Sequence, residues 1–182
     1  MSDLQCAVRV FLARHGEAEY ESALVTDDGG SLTHLGRGQA RDLGERLRAE
    51  RIARVYTSPM SRAVQTAEIA AGVLAVDVAV REGLREHGVG VLDGSTCDEA
   101  MTEIADRVTR VLDEIADLHR GETVLVVGHG GALLATVARL PGHPAAPAGA
   151  LAWEPCAVME LAGDADGWRS VDERHGGEVR AP

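Results

Sequence analysis

Short continuous apolar runs alternate along this chain with longer segments in which apolar residues recur every three or four positions. Runs of the first kind read as buried strands, segments of the second as helices lying on them. Residues 8–13 (VRVFLA) predict a first strand, 54–57 a second and 76–80 a third. Residues 123–127 (TVLVV) are the clearest strand of all. Residues 157–161 and 168–171 would pair as a terminal hairpin. A helix is predicted over 34–50, with Thr33 as its N-cap and Leu35, Leu43 and Leu47 on its apolar side. A second follows the Ser58-Pro59 break, over 61–74. In residues 98–119, Met101, Ile104, Val108, Val111, Ile115 and Leu118 repeat at alternating spacings of three and four, an amphipathic helix. A fourth helix is expected over 132–140.

Strands that alternate with helices predict a layered α/β fold with a mostly parallel sheet. A chain of 182 residues is a comfortable size for one domain, so residues 1–182 are expected to form a single unit, with about 174–182 as a loose tail. Segments 18–31, 81–97 and 141–152 are polar or rich in Gly and Pro. They are the expected loops, and the expected seat of substrate choice.

Composition narrows the partners. With 18 basic and 29 acidic residues the net charge is -11, which repels nucleic acid and anionic membranes at long range. Any anion site must then be made locally, from arginines and backbone N–H groups. Hydrophobic residues reach 45% but aromatic ones only 3%, so the core should be aliphatic. No stretch approaches the roughly 20 apolar residues of a membrane span. The N-terminus lacks the basic start and apolar run of a secretion signal. Cys6, Cys97 and Cys156 form no C-x-x-C and read as reduced thiols. A cytoplasmic protein is expected. His34, His119, His143 and His175 match no metal-ligand spacing and read as surface residues. Gly128, Gly130 and Gly131 do not complete a dinucleotide fingerprint. Neither metal nor cofactor is expected.

Two strands run into a His-Gly pair: 8–13 into Arg14-His15-Gly16, and 123–127 into Gly128-His129-Gly130. Ligands of such sheets bind beyond the carboxyl ends of the strands. If these two strands are parallel neighbours, both histidines meet there. Arg62, near the start of the helix after the second strand, would join them. Arginine binds phosphate oxygens in pairs through its planar fork. A neutral imidazole nitrogen can attack phosphorus and later leave. Helix starts near Ser61 and Gly130 would add backbone N–H groups and a favourable dipole.

The segment Arg14-His15-Gly16-Glu17 resembles the signature of the histidine phosphatase superfamily, also called phosphoglycerate mutase-like. Three further blocks resemble it in order: Leu32 to Ala40 (LTHLGRGQA), Tyr56 through Arg62 to Thr66, and Val126 to Gly131 (VVGHGG). The resemblance implies a three-layer α/β/α sandwich. It implies His15 as nucleophile, with Arg14, Arg62, His129 and Gly130 around the phosphoryl group. Glu86 would be the proton donor, since Glu86, Gly90 and Gly94 match the spacing of a family motif. Glu17, Glu82 and Asp93 are its rivals, and Ser58 either lends a hydroxyl or caps the next helix.

The chain also departs from the family pattern. Ala18 and Glu21 stand where Thr and Asn are common, and no aromatic residue lies between Gly90 and Gly94. Only Ser95, Thr96 and Cys97 connect Gly94 to the long helix, where phosphoglycerate mutases carry a substantial insert. This reduced cap favours a phosphatase acting on phosphomonoesters or on a phosphoprotein, through a covalent phosphohistidine. A phosphoglycerate mutase-type phosphotransferase and a non-catalytic phosphate-binding module are the alternatives. Oligomeric state stays open.

Overall fold

The computed structural model describes residues 6–19, 30–86, 97–141 and 154–171. Strands β1 (Val8–Arg14), β2 (Ile52–Thr57), β3 (Val78–Val80) and β4 (Thr123–Gly128) run parallel. Strand β5 (Val158–Asp164) returns antiparallel beside β1, and β6 (Gly167–Ser170) pairs antiparallel with β5 as the expected hairpin. The six form one sheet in the order β3-β2-β4-β1-β5-β6.

The period-two geometry of a strand sends alternate side chains to opposite faces. On one face lie Val8, Val10, Leu12, Val124 and Val126, packed with Ile104, Val108, Leu112, Ile115 and Leu133 of helices α3 (Cys97–Leu118) and α4 (Gly130–Val137). On the other lie Phe11, Ala13, Leu125 and Val127, packed with Leu43, Ala63, Ala67 and Ala70 of helices α1 (His34–Arg46) and α2 (Ser61–Leu74). Because β1 and β4 are covered on both faces, their sequences read as unbroken apolar runs. The fold is therefore a three-layer α/β/α sandwich around a mostly parallel sheet, as expected.

Some helix details differ from expectation. Helix α1 stops at Arg46, and a short 3₁₀ turn over Arg48–Glu50 leads to Arg51 in the left-handed region (φ 54). Thr33 caps α1 as expected, its Oγ1 accepting from Gly36 N. Leu35, however, is 56% exposed. The buried face of α1 is Gly36, Ala40, Leu43 and Gly44, so two of its contacts are glycines that a hydrophobic pattern cannot register. Leu118 is 65% exposed while Leu112 is buried. At about 100° per residue, position 118 lies roughly 120° around the helix from Leu112, off the packed stripe.

His119 is not a surface residue. Its side chain is 12% exposed, with Nδ1 2.6 Å from Glu122 Oε2 and Nε2 2.7 Å from the phenol oxygen of Tyr56. The buried Tyr56 needs a partner for its hydroxyl, and His119 supplies it. Helix α4 begins at Gly130 rather than 132, so His129 becomes its N-cap residue. The tail 174–182, most of loops 18–31 and 81–97 with Glu21 and Asp93, and nearly all of 141–152 lie outside the described residues.

Candidate active site

The sheet order brings the three sequence blocks together. Arg14 at the end of β1 sits opposite Gly128 at the end of β4, and Thr57 at the end of β2 sits opposite Val127. The next residues continue the ladder: His15 N donates to Gly128 O at 3.0 Å, and Ser58 N donates to Val127 O at 3.2 Å. His15, Ser58 and His129 therefore share the carboxyl edge of the sheet and are all buried. The two imidazoles meet edge to face, with centroids 5.3 Å apart.

The tautomer of His15 follows from its contacts. Nδ1 lies 2.6 Å from Gly16 O, a carbonyl that can only accept, so Nδ1 carries the proton. In the neutral ring the lone pair is then on Nε2, where Arg62 Nε donates at 3.1 Å. Burial lowers the His15 pKa from 6.5 to about 4, partly opposed by the Gly16 bond and aided by the Arg62 and Arg14 charges. The ring is neutral across the physiological range.

His129 is held from its other side. Its Nε2 is 2.8 Å from Ser58 Oγ, which accepts from Met60 N at 3.3 Å. Its Nδ1 is buried with no hydrogen-bond partner among the described residues. An orphaned buried polar atom costs about 1–3 kcal/mol, which a ligand oxygen accepting from Nδ1–H would relieve. Burial first, then Arg62, His15, Arg14 and Arg107, lower its pKa to about 2.

Arg62 stands in the first turn of α2 and is buried. The Arg14 side chain runs beside Gly130, where a Cβ would lie 3.6 Å from its Cδ. Glu86 reaches the same helix start: a Cβ at Gly131 would lie 3.1 Å from Glu86 Oε1. All six residues proposed from sequence, His15, Glu86, His129, Arg14, Arg62 and Gly130, thus gather at one sheet edge. Two of the rival carboxylates are engaged elsewhere, and Asp93 lies outside the described residues. Glu17 Oε1 accepts from Thr33 Oγ1 at 2.8 Å, and Glu82 pairs with Arg85 at 3.3 Å on the surface.

Sequence reasoning passed over the groups that fix the loop after β1. Gly16 N donates to Thr66 Oγ1 at 3.0 Å, and that hydroxyl donates to Arg62 O at 2.7 Å. Glu17 N donates to Gln39 Oε1 at 2.8 Å, and Leu32 N to Gln65 Oε1 at 2.9 Å. The loop lies so close to α1 that a Cβ at Gly36 would fall 2.0 Å from Glu17 O, and one at Gly16 2.6 Å from Gly36 O. The spacing carried a signal: Thr66 stands four residues after Arg62, on the same helical face.

This edge of a mostly parallel sheet, with two neutral imidazoles and two arginines, is the arrangement of a phosphoglycerate mutase-like protein. The model of the histidine phosphatase superfamily (branch 1) matches residues 10–105 and 98–174, and the chain belongs to that superfamily. It is 31% identical over 166 residues to a probable phosphoglycerate mutase GpmB of Photorhabdus laumondii, covering 75% of this chain and 77% of the relative. Among solved structures, Bacillus stearothermophilus YhfR is 30% identical with a TM-score of 0.73, covering 92% and 96% of the two chains. A mycobacterial glucosyl-3-phosphoglycerate phosphatase shares the fold at 24% identity and a TM-score of 0.73, covering 90% and 97%.

Proposed function

We propose that this protein is a metal-independent phosphatase that hydrolyses phosphomonoesters through a phosphohistidine on His15. The observation that carries the reading is the state of His15. Its proton is fixed on Nδ1 by Gly16 O and its ring is neutral, so the Nε2 lone pair is a nucleophile in waiting. Arg62, already at Nε2, shifts its N–H groups to the phosphoryl oxygens when substrate arrives. Arg14, His129 Nδ1–H and the N–H groups at the start of α4, Gly130 included, complete the anion site.

The steps balance. Nε2 attacks phosphorus in line, the P–O bond to the leaving group breaks, and Glu86 gives that oxygen its proton. Water then attacks the phosphohistidine, Glu86 takes a proton from it, the P–N bond breaks and phosphate leaves. The arginines balance the developing charge, so the reading calls for no metal.

Hydrolysis is favoured over mutase activity because Ser95 and Thr96 alone separate Gly94 from α3. Little chain is left there to enclose a phosphorylated intermediate and its acceptor. Small phosphorylated metabolites are the proposed substrates, in a cytoplasmic setting and within one domain. The curated relatives' description as probable phosphoglycerate mutases supports a second reading, transfer back to a sugar acid.

Phosphate release from p-nitrophenyl phosphate with chelator present is the test. Wild type is expected to turn over and His15→Ala to lose on the order of 10,000-fold or more. Release that survives in His15→Ala would defeat the reading. Interconversion of 3- and 2-phosphoglycerate without phosphate release would establish the second.

A further inference from the structure

We infer that Arg107, on the helix layer opposite α1 and α2, is a positioning residue that clamps the proton-donor segment and so sets which leaving groups the enzyme can expel. The inference rests on Glu86 as the proton donor.

Arg107 sits in the middle of α3, partly buried, and its Nη2 donates to the carbonyl of Arg85 at 2.5 Å. That carbonyl belongs to the peptide unit joining Arg85 to Glu86. A guanidinium fixed on it holds the plane from which the Glu86 side chain departs. On the far side, the Glu86 carboxylate faces Gly131 at the start of α4. The segment is thus gripped between two helices, with its donor group at the site and its backbone on Arg107.

Two further features belong to the same clamp. Residues 82–84 form a 3₁₀ turn whose Leu84 is buried in the core against α3. Gly83 permits that approach, since a Cβ there would fall 2.4 Å from Val111 Cγ2 and 3.7 Å from Arg107 Cγ. Arg107 Nε is buried without a hydrogen-bond partner among the described residues. A long, charged side chain with a buried, unanswered N–H is a poor choice for filling space; a Met or Leu would pack there at lower cost. What Arg107 adds over such a residue is the bond to the Arg85 carbonyl, together with a positive charge that helps hold His129 neutral.

Proton donation matters most when the departing oxygen is a poor leaving group, and hardly at all when it leaves as a stable nitrophenolate. Misplacing a donor by an ångström can cost about 100-fold. Arg107→Met should therefore lower kcat/KM for an alkyl phosphomonoester such as glycerol phosphate by about 10- to 100-fold. It should leave p-nitrophenyl phosphate within about threefold. A general loosening of the fold would lower both alike.

The experiment measures kcat/KM on both substrates for wild type, Arg107→Met, Arg107→Lys, Glu86→Gln and the Arg107→Met/Glu86→Gln double variant. The expected result is the same split in Arg107→Met as in Glu86→Gln, with no further loss in the double variant. Arg107→Lys keeps the stem, the charge and one donor. It should show a smaller split, and it carries the test if Arg107→Met does not fold. Parallel losses on both substrates, or none, in the Arg107 variants while Glu86→Gln splits them would overturn the clamp. Absence of any split in Glu86→Gln would overturn the proton-donor reading, and the clamp with it.

Discussion

The site joins two regions that are built in different ways. The proposed phosphoryl-binding floor is the loop after β1, the start of α2 and the end of β4. It is tied by side chains from the α1 and α2 layer, with Thr66, Gln39 and Gln65 each answering a loop N–H. Backbone touches backbone where Gly16 meets Gly36. The wall that carries the proposed proton donor, residues 81–86, meets the sheet where Arg81 N donates to Thr57 O at 2.8 Å, packs on α3 through Leu84 and Arg107, and faces the start of α4 through Glu86. The proposed nucleophile is thus anchored to one helix layer and the proposed proton donor to the other. A polar network with many satisfied bonds fixes geometry closely; a wall that packs on a different helix layer can be altered without disturbing that network. Damage to the floor should abolish reaction on every substrate, whereas damage to the wall should redistribute activity among them.

The largest test of that difference is Arg62→Met. It removes the bond to His15 Nε2 and a buried cation that lowers both histidine pKa values. A loss of about 100- to 1000-fold in kcat/KM is expected, similar for nitrophenyl and alkyl substrates. A loss confined to alkyl phosphates would show that floor and wall are one unit. Next in size is Gly36→Ala. With a methyl placed 2.0 Å from Glu17 O, backbone must move on one side or the other. The cost should be about 1–3 kcal/mol, read as a lower Tm, with activity falling on both substrates together.

A smaller effect follows from pH. The folded-state pKa values of His15, about 4, and His129, about 2, lie below the ordinary 6.5. The unfolded chain therefore binds these protons at a pH where the folded chain does not. Their contribution to stability is complete above about pH 6.5 and declines as pH falls toward 4. Tm should drop across that window, and less steeply in His15→Gln. With substrate ionisation divided out, the acid limb of kcat/KM should lie near the His15 value of about 4. A limb at 6.5 would mean that the ring is not desolvated.

The two regions were not equally legible in the sequence. The floor declared itself because its parts sit at fixed distances from strand ends. Residues 123–127 read as a strand at sight, and His129 stands directly after the observed β4. The parallel pairing of β1 with β4 then places His15 beside His129. Glu86 could be named only by resemblance, since neither periodicity nor capping marks residues 81–86. Arg107 was invisible because it interrupts no pattern; it sits between Ile104 and Val108 on a helix whose apolar stripe looks complete without it. Leu35 misled for a physical reason: the face of α1 that packs is made partly of glycine, and close backbone contact leaves no hydrophobic trace.

Ser58 provides the finest test, because it acts on the floor without holding the loop. Its Oγ accepts from Met60 N, which leaves the hydroxyl proton free to point at His129 Nε2. Nε2 then accepts, and the His129 proton lies on Nδ1, the buried atom without a partner among the described residues. Ser58→Ala would release that preference and let the proton settle on Nε2, turning a donor toward the phosphoryl oxygen into a lone pair. A loss of about tenfold is expected, the worth of roughly one neutral hydrogen bond. It should be equal on nitrophenyl and alkyl phosphates, since both present the same phosphoryl oxygens. Nitrogen chemical shifts of the His129 ring should show the exchange of tautomers directly, and Ser58→Thr, which keeps the hydroxyl, should restore both readouts. An unchanged tautomer in Ser58→Ala would mean that the phosphoryl-binding edge orients His129 by the surrounding charges alone.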